Sequence, residues 1–139
     1  MNNLKIAGYV NGIQNQKLNI DTVSNKTKRI LNFTNKKFNN GKLVIHQDIH
    51  NNYCEKQRIG YNTLKNQLLN GEYDVIIFNE FTQISRYTKN FIFQIQEILE
   101  MGVRVISISE GFDSKHMTDE DIRLYLHLLF PIVSKKINK

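Results

Sequence analysis

Tryptophan is absent from this chain of 139 residues, and cysteine and proline each occur only once. The single cysteine, Cys54, cannot form an internal disulfide, which favours a reducing compartment. The sequence also lacks an apolar run near the ~20 residues of a membrane span, and no apolar signal region follows its first residues. These absences predict a cytoplasmic protein that does not enter a membrane.

Positive charge is concentrated in the first half of the chain. Residues 1–70 hold 11 Lys and Arg against 3 acidic residues, whereas residues 71–139 hold 8 against 10. One run of cations without an intervening acid comprises Lys26, Lys28, Arg29, Lys36, Lys37 and Lys42. Such a surface suits contact with nucleic-acid phosphates, but a solvated lysine-rich helix face has the same composition. Charge alone therefore leaves both interpretations open.

The hydrophobic pattern alternates between short buried strands and amphipathic helices. Strands are predicted over residues 4–10, 43–45, 74–78 and 103–108, and helices over residues 19–38, 59–69, 89–101 and about 118–137. A weaker pattern over residues 111–115 indicates a fifth strand. This alternation predicts a three-layer α/β/α fold with a mostly parallel sheet of four or five strands. Residues 1–139 are expected to form one domain, with functional loops beyond the carboxyl ends of the strands.

Three motifs follow these elements in order. They are Tyr9-Val10-Asn11-Gly12-Ile13 at the first strand, Asp48 followed by Arg58-Ile59-Gly60, and Thr82-Gln83-Ile84-Ser85-Arg86 after the third strand. In this order the chain resembles the catalytic domain of the serine recombinases, the resolvase and invertase family, over nearly its whole length. In that family the first strand ends in Tyr-x-Arg-Val-Ser, and Asp-Arg-x-x-Arg follows the third strand.

The resemblance implies a phosphodiester-transfer site that has lost essential groups. Ile13 stands in place of the family's nucleophilic serine, and Asn11 replaces an arginine. Thr82 and Gln83 stand where the family has Asp-Arg. The reaction needs a hydroxyl nucleophile and cations around the phosphorus, and loss of one preorganised donor typically costs ~10²–10³ in rate. No intact catalytic group is therefore expected.

Two arginines remain at positions that the family uses. The resemblance places Arg58 and Arg86 beside the missing groups, either as a phosphate-binding pair or as remnants tied to Asp48 or Glu80. Guanidinium groups suit the first role because their forked donors reach two phosphate oxygens. The full set of predicted phosphate or DNA contacts is Arg58, Arg86, Lys26, Lys28, Arg29, Lys36 and Lys37.

The last predicted helix is apolar almost all round, which is more than one domain needs to cover its core. Extra apolar faces favour burial against a second subunit. The predicted dimer-interface residues are Ile122, Tyr125, Leu126, Leu129, Phe130 and Val133. Pro131 is expected to kink or end this helix. The family's following helix-turn-helix domain is not expected here, because the sequence stops at Lys139.

These patterns predict a resolvase-like, catalytically inactive protein with an accessory or regulatory role in DNA recombination. Expected partners are a second copy, an intact recombinase and the DNA backbone. No cofactor or metal is expected: His46, His50 and Cys54 recur every four residues, but His46 adjoins a strand and no fourth ligand is evident. Two alternatives stay open. One is an active recombinase with an unusual nucleophile, for which Ser85 is the candidate; the other is a flavodoxin-like module that binds an anion or nucleotide.

Overall fold

The computed structural model describes residues 4–13, 20–39, 41–50, 58–85, 88–126 and 128. Its strands, in chain order, are β1 (Lys5–Ile13), β2 (Lys42–His50), β3 (Val75–Phe78), β4 (Arg104–Ser107) and β5 (Phe112–Asp113). Its helices are α1 (Ile20–Lys37), α2 (Ile59–Leu69), α3 (Thr88–Glu100) and α4, which is helical over residues 119–126 and at 128. Single turns of 3-10 helix lie at Phe81–Gln83 and Ser114–His116.

One sheet joins the five strands in the order β2-β1-β3-β4-β5. The first four strands are parallel, and β5 pairs antiparallel with β4. Helix α1 packs on one face of the sheet, and α2, α3 and α4 pack on the other. The predicted three-layer, mostly parallel α/β fold is confirmed, including its fifth strand. None of the described helices combines the length and the apolar character of a membrane-spanning helix.

Alternate residues of β1 pack into two separate hydrophobic cores, one on each face of the sheet. Ile6 and Val10 pack with Ile30 of α1, whereas Tyr9 packs on the opposite face, among side chains of α2, α3 and α4. Because side chains alternate along a strand, Asn11 follows Tyr9 onto that opposite face. Tyr9 and Asn11 therefore lie on the same side of the sheet, near the carboxyl end of β1.

Strands β1 and β2 are longer than the sequence pattern predicts. The prediction ended β1 at residue 10 and β2 at residue 45, but their parallel register runs from Lys5↔Lys42 to Ile13↔His50. Residues 46–50 were left outside the predicted strand at 43–45, which is wrong, because they continue β2. The physical reason is that ladder pairing is made by the backbone, and an edge strand such as β2 tolerates polar side chains without apolar periodicity.

A half-buried ion cluster joins β4, β5 and the end of α1. Arg104 donates two hydrogen bonds to Asp113, from Nε to Oδ1 at 2.8 Å and from Nη2 to Oδ2 at 2.6 Å. Lys37 Nζ lies 3.5 Å from Asp113 Oδ2, and the Arg104 guanidinium lies 5.2 Å from the ring centre of Phe38. Partial burial acts to raise the pKa of Asp113, but the hydrogen bonds and the charges of Arg104 and Lys37 lower it to about 2.

Replacing Asp113 by a neutral residue is expected to make the free energy of unfolding less dependent on pH in the acid range. The pKa of Asp113 is about 2 in the folded state against a usual 3.8. Its stabilisation is therefore complete above the usual pKa and is lost as the pH falls towards 2, and it amounts to about 2 kcal/mol. Asp113→Asn is expected to lower the free energy of unfolding by that amount at pH 7, as measured by urea denaturation.

Asp119 is exposed and supplies the matched control, because Asp119→Asn removes one negative charge and leaves the ion cluster of Arg104, Asp113 and Lys37 intact. The difference between the wild type and Asp113→Asn should shrink steadily between pH 4 and pH 2. A difference of the same size at pH 2.5 and pH 7 would contradict the assigned ion pair.

Candidate functional site

The sheet order contains a topological switch point between β1 and β3. The chain leaves β1 to form β2 on one side and later forms β3 on the other side. In open α/β sheets, ligands bind beyond the carboxyl ends of the strands at such a point. Asn11 near the end of β1, and Asn79 and Glu80 directly after β3, lie at this edge.

Asp48 of β2 caps the start of α2. Arg58 occupies the N-cap position of α2 but makes no side-chain cap hydrogen bond. Instead, Asp48 Oδ1 accepts from the Gly60 amide at 2.7 Å, and Oδ2 accepts from the Tyr61 amide at 2.8 Å. A carboxylate there satisfies N–H groups that have no partner within the helix and is favoured by the helix dipole. Asp48 thus ties the end of β2 to the beginning of α2.

The hydroxyl of Tyr9 connects Asp48 to Arg58. It donates to Asp48 Oδ2 at 2.6 Å and accepts from Arg58 Nε at 3.3 Å. Burial raises the pKa of Tyr9 well above its usual value; Arg58 opposes this rise and Asp48 adds to it. The hydroxyl therefore stays protonated and acts as a donor to the carboxylate. In the described part of the chain, Asp48 reaches Arg58 through this hydroxyl rather than through a direct ion pair.

Arg58 is buried, with 6% of its surface exposed, among groups of the protein itself. Its guanidinium carbon lies 4.3 Å from the ring centre of Tyr61 and 5.5 Å from that of Tyr9, as in cation–π contacts. Its Nη2 donates to the main-chain oxygen of Gln83 at 3.4 Å. These contacts hold the planar group in one orientation between α2 and the turn that follows β3.

Neutral amides occupy the positions beside Arg58. The side chain of Gln83, 6% exposed, turns back to β1, where its Oε1 accepts from the main-chain N–H of Asn11 at 2.8 Å. Asn11 is 5% exposed, and its Oδ1 has no hydrogen-bond partner among the described residues. The structure thus brings Asn11, Arg58 and Gln83 close together; that they form one functional site stays a prediction. The side-chain groups at positions 11 and 83 carry no charge.

Lys26 and Asn79 also belong to this edge, and sequence reasoning did not place them there. Lys26 Nζ donates to the main-chain oxygen of Asn11 at 3.2 Å, and Asn79 Nδ2 donates to the main-chain oxygen of Lys26 at 3.0 Å. Burial lowers the pKa of Lys26, and Glu80 opposes this effect. The spacing of Lys26 from Val23 and Ile30, three and four residues away, was a signal that it lies on the inner face of α1.

Other predicted site residues do not join this group or cannot be compared with it. Thr82 is exposed on its 3-10 turn. The backbone of Ile13 pairs with His50, but the position of its side chain lies outside what the structure describes, as does all of Arg86. Ser85 is fully buried and its Oγ accepts from Asn90 Nδ2 at 3.2 Å.

The cations predicted to contact phosphates separate into two groups. Lys28, Arg29 and Lys36 are exposed on α1, while Lys37 is exposed but paired with Asp113. Arg58 and Lys26, described above, point into the edge of the sheet instead. Of the residues considered as zinc ligands, His46 and His50 lie on β2, about 13 Å apart along a strand, and Cys54 lies outside the described residues.

The predicted dimer-interface residues that can be described pack mainly against their own domain. Ile122 and Leu126 are 9% and 2% exposed within the core, and Tyr125 is half-buried against Phe112, with ring centres 5.1 Å apart. The exposed apolar residues described in α4 are Leu124 and Leu128, 58% and 71% exposed. The remaining predicted positions, Leu129, Phe130 and Val133, lie outside the described residues. Dimerisation through this helix stays a prediction.

The family of the chain follows from its sequence. The family model described as resolvase, N-terminal domain, matches residues 11–133. The chain therefore belongs to the resolvase N-terminal domain family, as its motifs predicted, and this membership argues against the flavodoxin-like alternative. A comparison with curated proteins gave no significant match.

Solved structures agree on the fold. The N-terminal catalytic domain of TP901-1 integrase is 16% identical with a TM-score of 0.69, over 96% of this chain and 97% of that chain. A resolvase family site-specific recombinase from Streptococcus pneumoniae is 16% identical with a TM-score of 0.74, over 97% and 91%. The C-terminal catalytic domain of ISC1926 TnpA, an IS607-like serine recombinase, is 16% identical with a TM-score of 0.65, over 98% and 100%. The chain thus has the fold of serine recombinase catalytic domains.

Proposed function

We propose that this protein is a catalytically inactive relative of the serine recombinases with an accessory or regulatory role in DNA recombination. It acts by associating with a second copy or with an intact recombinase, and with DNA. The observation that carries the proposal is the hydrogen bond from the main-chain N–H of Asn11 to the side-chain Oε1 of Gln83, at 2.8 Å. It joins two uncharged residues at positions where the family's motifs have arginines.

The electrostatics of the site support inactivity. A phosphoryl transition state needs positive donors fixed around it. Here Asn11 Oδ1 is a buried acceptor without a described partner, and Gln83 Oε1 is already used by the backbone. Arg58 remains, but Tyr9, Tyr61 and the Gln83 main chain hold its guanidinium. Lys26, the other cation described at this edge, donates to the main-chain oxygen of Asn11, and these two cations do not restore the charges missing at positions 11 and 83.

Ser85 does not offer a convincing substitute nucleophile. A serine that attacks DNA must present its oxygen to the phosphate and to a base. Ser85 is 0% exposed, and Asn90 donates to its oxygen. Small polar residues in loops commonly make such structural hydrogen bonds. The buried environment of Ser85 therefore supports a structural role.

The proposal predicts that no covalent bond forms between this protein and DNA. Purified protein would be incubated with a random-sequence duplex library that contains nicked suicide substrates, then denatured with SDS and analysed by gel and mass spectrometry. Loss of the hydroxyl and of two donors is expected to reduce the rate below detection, since each donor alone is worth ~10²–10³. The wild type and Ile13→Ala should both give no detectable protein–DNA adduct.

An active serine recombinase with its own site is the positive control for trapping. Ser85→Ala is the matched variant for the alternative nucleophile. A DNA-linked peptide in the wild type would overturn the proposal, and its absence from Ser85→Ala would identify the attacking residue.

Association through α4 is the second part of the proposal. Leu124 and Leu128 lie one turn apart and are more than half exposed. Two leucines in such a position support contact with another protein surface. Ile122 and Leu126 are already engaged in the core, so substitutions there are expected to affect folding before they affect association.

A further inference from the structure

Helix α1 presents one continuous face of cations and amides to the solvent. We call this the α1 outer face; its residues are Asn25, Lys28, Arg29, Asn32 and Lys36, all of them exposed. At 100° per residue they fall within one sector of the helix, opposite the inner positions Val23 and Ile30. None of these five residues is acidic or aromatic; Asp21, in the first turn of α1, falls in the same sector and is the single acid of this helix.

The three cations of the α1 outer face outnumber the single acid of α1, Asp21. Among the residues that the structure describes, the ion pairs are Lys37–Asp113, Lys65–Glu97 and Arg104–Asp113. None of them includes Lys28, Arg29 or Lys36. Arg29 donates from Nη1 to the hydroxyl of Ser109 at 3.2 Å, a contact that leaves its positive charge intact. The potential of this face is therefore positive.

Charge also differs between the two layers that cover the sheet. Helix α1, which forms one layer, carries five Lys and Arg against one acid. The helices of the other layer, at 59–69, 88–100 and 119–128, carry three Lys and Arg against five acids. A polyanion approaching the molecule is attracted to the α1 side and repelled from the other.

We propose that the α1 outer face binds the phosphate backbone of duplex DNA without reading its sequence. The inference rests on the proposed association with DNA and assigns the surface that makes it. Lys and Arg neutralise phosphates, and Asn side chains donate hydrogen bonds to phosphate oxygens. Lys28 and Lys36 are eight residues apart, about 12 Å along the helix, which spans about three phosphates of one strand. This surface lies on the opposite side of the sheet from α4.

The test is the salt dependence of DNA binding by the full chain. Fluorescence anisotropy with a labelled 30-base-pair duplex would be measured from 50 to 250 mM NaCl for the wild type and for Lys28→Glu/Lys36→Glu. Each phosphate contact contributes about 0.9 to the slope of log affinity against log salt. The double variant is expected to lose about 2 from this slope and to bind at least about tenfold more weakly at 50 mM NaCl.

Arg123→Glu is the control, because Arg123 is exposed on α4, in the opposite layer. It makes the same change of charge per site and should leave the slope within 0.5 of the wild-type value, a margin of about half of one phosphate contact. Thermal melting would verify that each variant is folded, and Lys28→Gln/Lys36→Gln provides a milder pair. Equal losses in the α1 and α4 variants, or a wild type that does not bind duplex DNA, would overturn the inference. Neither result bears on covalent catalysis, so the inactivity proposal is tested separately.

Discussion

Asp48→Ala is expected to lower the free energy of unfolding by about 3 kcal/mol, because it leaves three buried or half-buried donors without their acceptor. These donors are the amides of Gly60 and Tyr61 and the hydroxyl of Tyr9. Each unmatched buried donor costs about 1–3 kcal/mol, and water can reach only part of this site. For a domain of this size, the melting temperature should fall by about 10 °C in calorimetry.

Two variants separate the cap from a general effect of charge. Glu100→Ala removes an exposed carboxylate near the end of α3 and should change the melting temperature by less than about 2 °C, as is usual for surface positions. Asp48→Asn keeps one carbonyl acceptor of the same shape and is expected to fall between alanine and the wild type. If Asp48→Ala proves as stable as Glu100→Ala, the capping role is wrong.

Gly60→Ala is expected to destabilise the protein by about 2–3 kcal/mol through overpacking. A Cβ at residue 60 would overlap the main-chain oxygen of Gln47 and would lie 3.0 Å from Asp48 Oδ1. The first of these neighbours is backbone within a paired strand, so it cannot rotate away. The substitution must instead move the start of α2 and with it Arg58, which directly precedes this helix.

The comparison for Gly60→Ala lies in the same helix. Thr63 is exposed in α2, so Thr63→Ala places the same residue where space is free, removes only a solvent-facing hydroxyl and methyl, and favours the helix. Urea denaturation should show a gain or no change for Thr63→Ala and a loss for Gly60→Ala. A second readout is the near-ultraviolet circular dichroism of Tyr9 and Tyr61, which should change only in Gly60→Ala. Equal stability of the two variants would mean that α2 is less closely packed on β2.

The sequence predicted the elements whose signals are local. A continuous apolar run indicates β3, and the predicted helix at 59–69 ends where the structure ends α2, just before Gly71 with its φ of +74°. Asn11, Gln83 and Arg58 were predicted to share a site from motif order, and the structure brings them together. Local apolar patterns were sufficient for the strands and helices, and the order of the motifs indicated which of these residues lie close together.

Contacts between distant segments could not be predicted in the same way. Asp48 was considered as a partner of Arg58, but it caps α2 and reaches Arg58 only through Tyr9. That arrangement depends on the register of β1 and β2 beyond residue 45, where apolar periodicity stops. Lys26 was grouped with the surface cations because charge dominated the interpretation, although its helical position pointed inward.

The position of β1 in the sheet has a consequence for the order of folding. Its ladder with β3 begins at Ile6↔Val75, so a loop of about 69 residues must close before the sheet acquires its centre. Such non-local pairing slows folding relative to helical proteins of equal length. A nascent chain that ends before residue 75 has no partner for this side of β1. Tyr9, Arg58 and Gln83 can therefore meet only late in synthesis, when most of the chain is present.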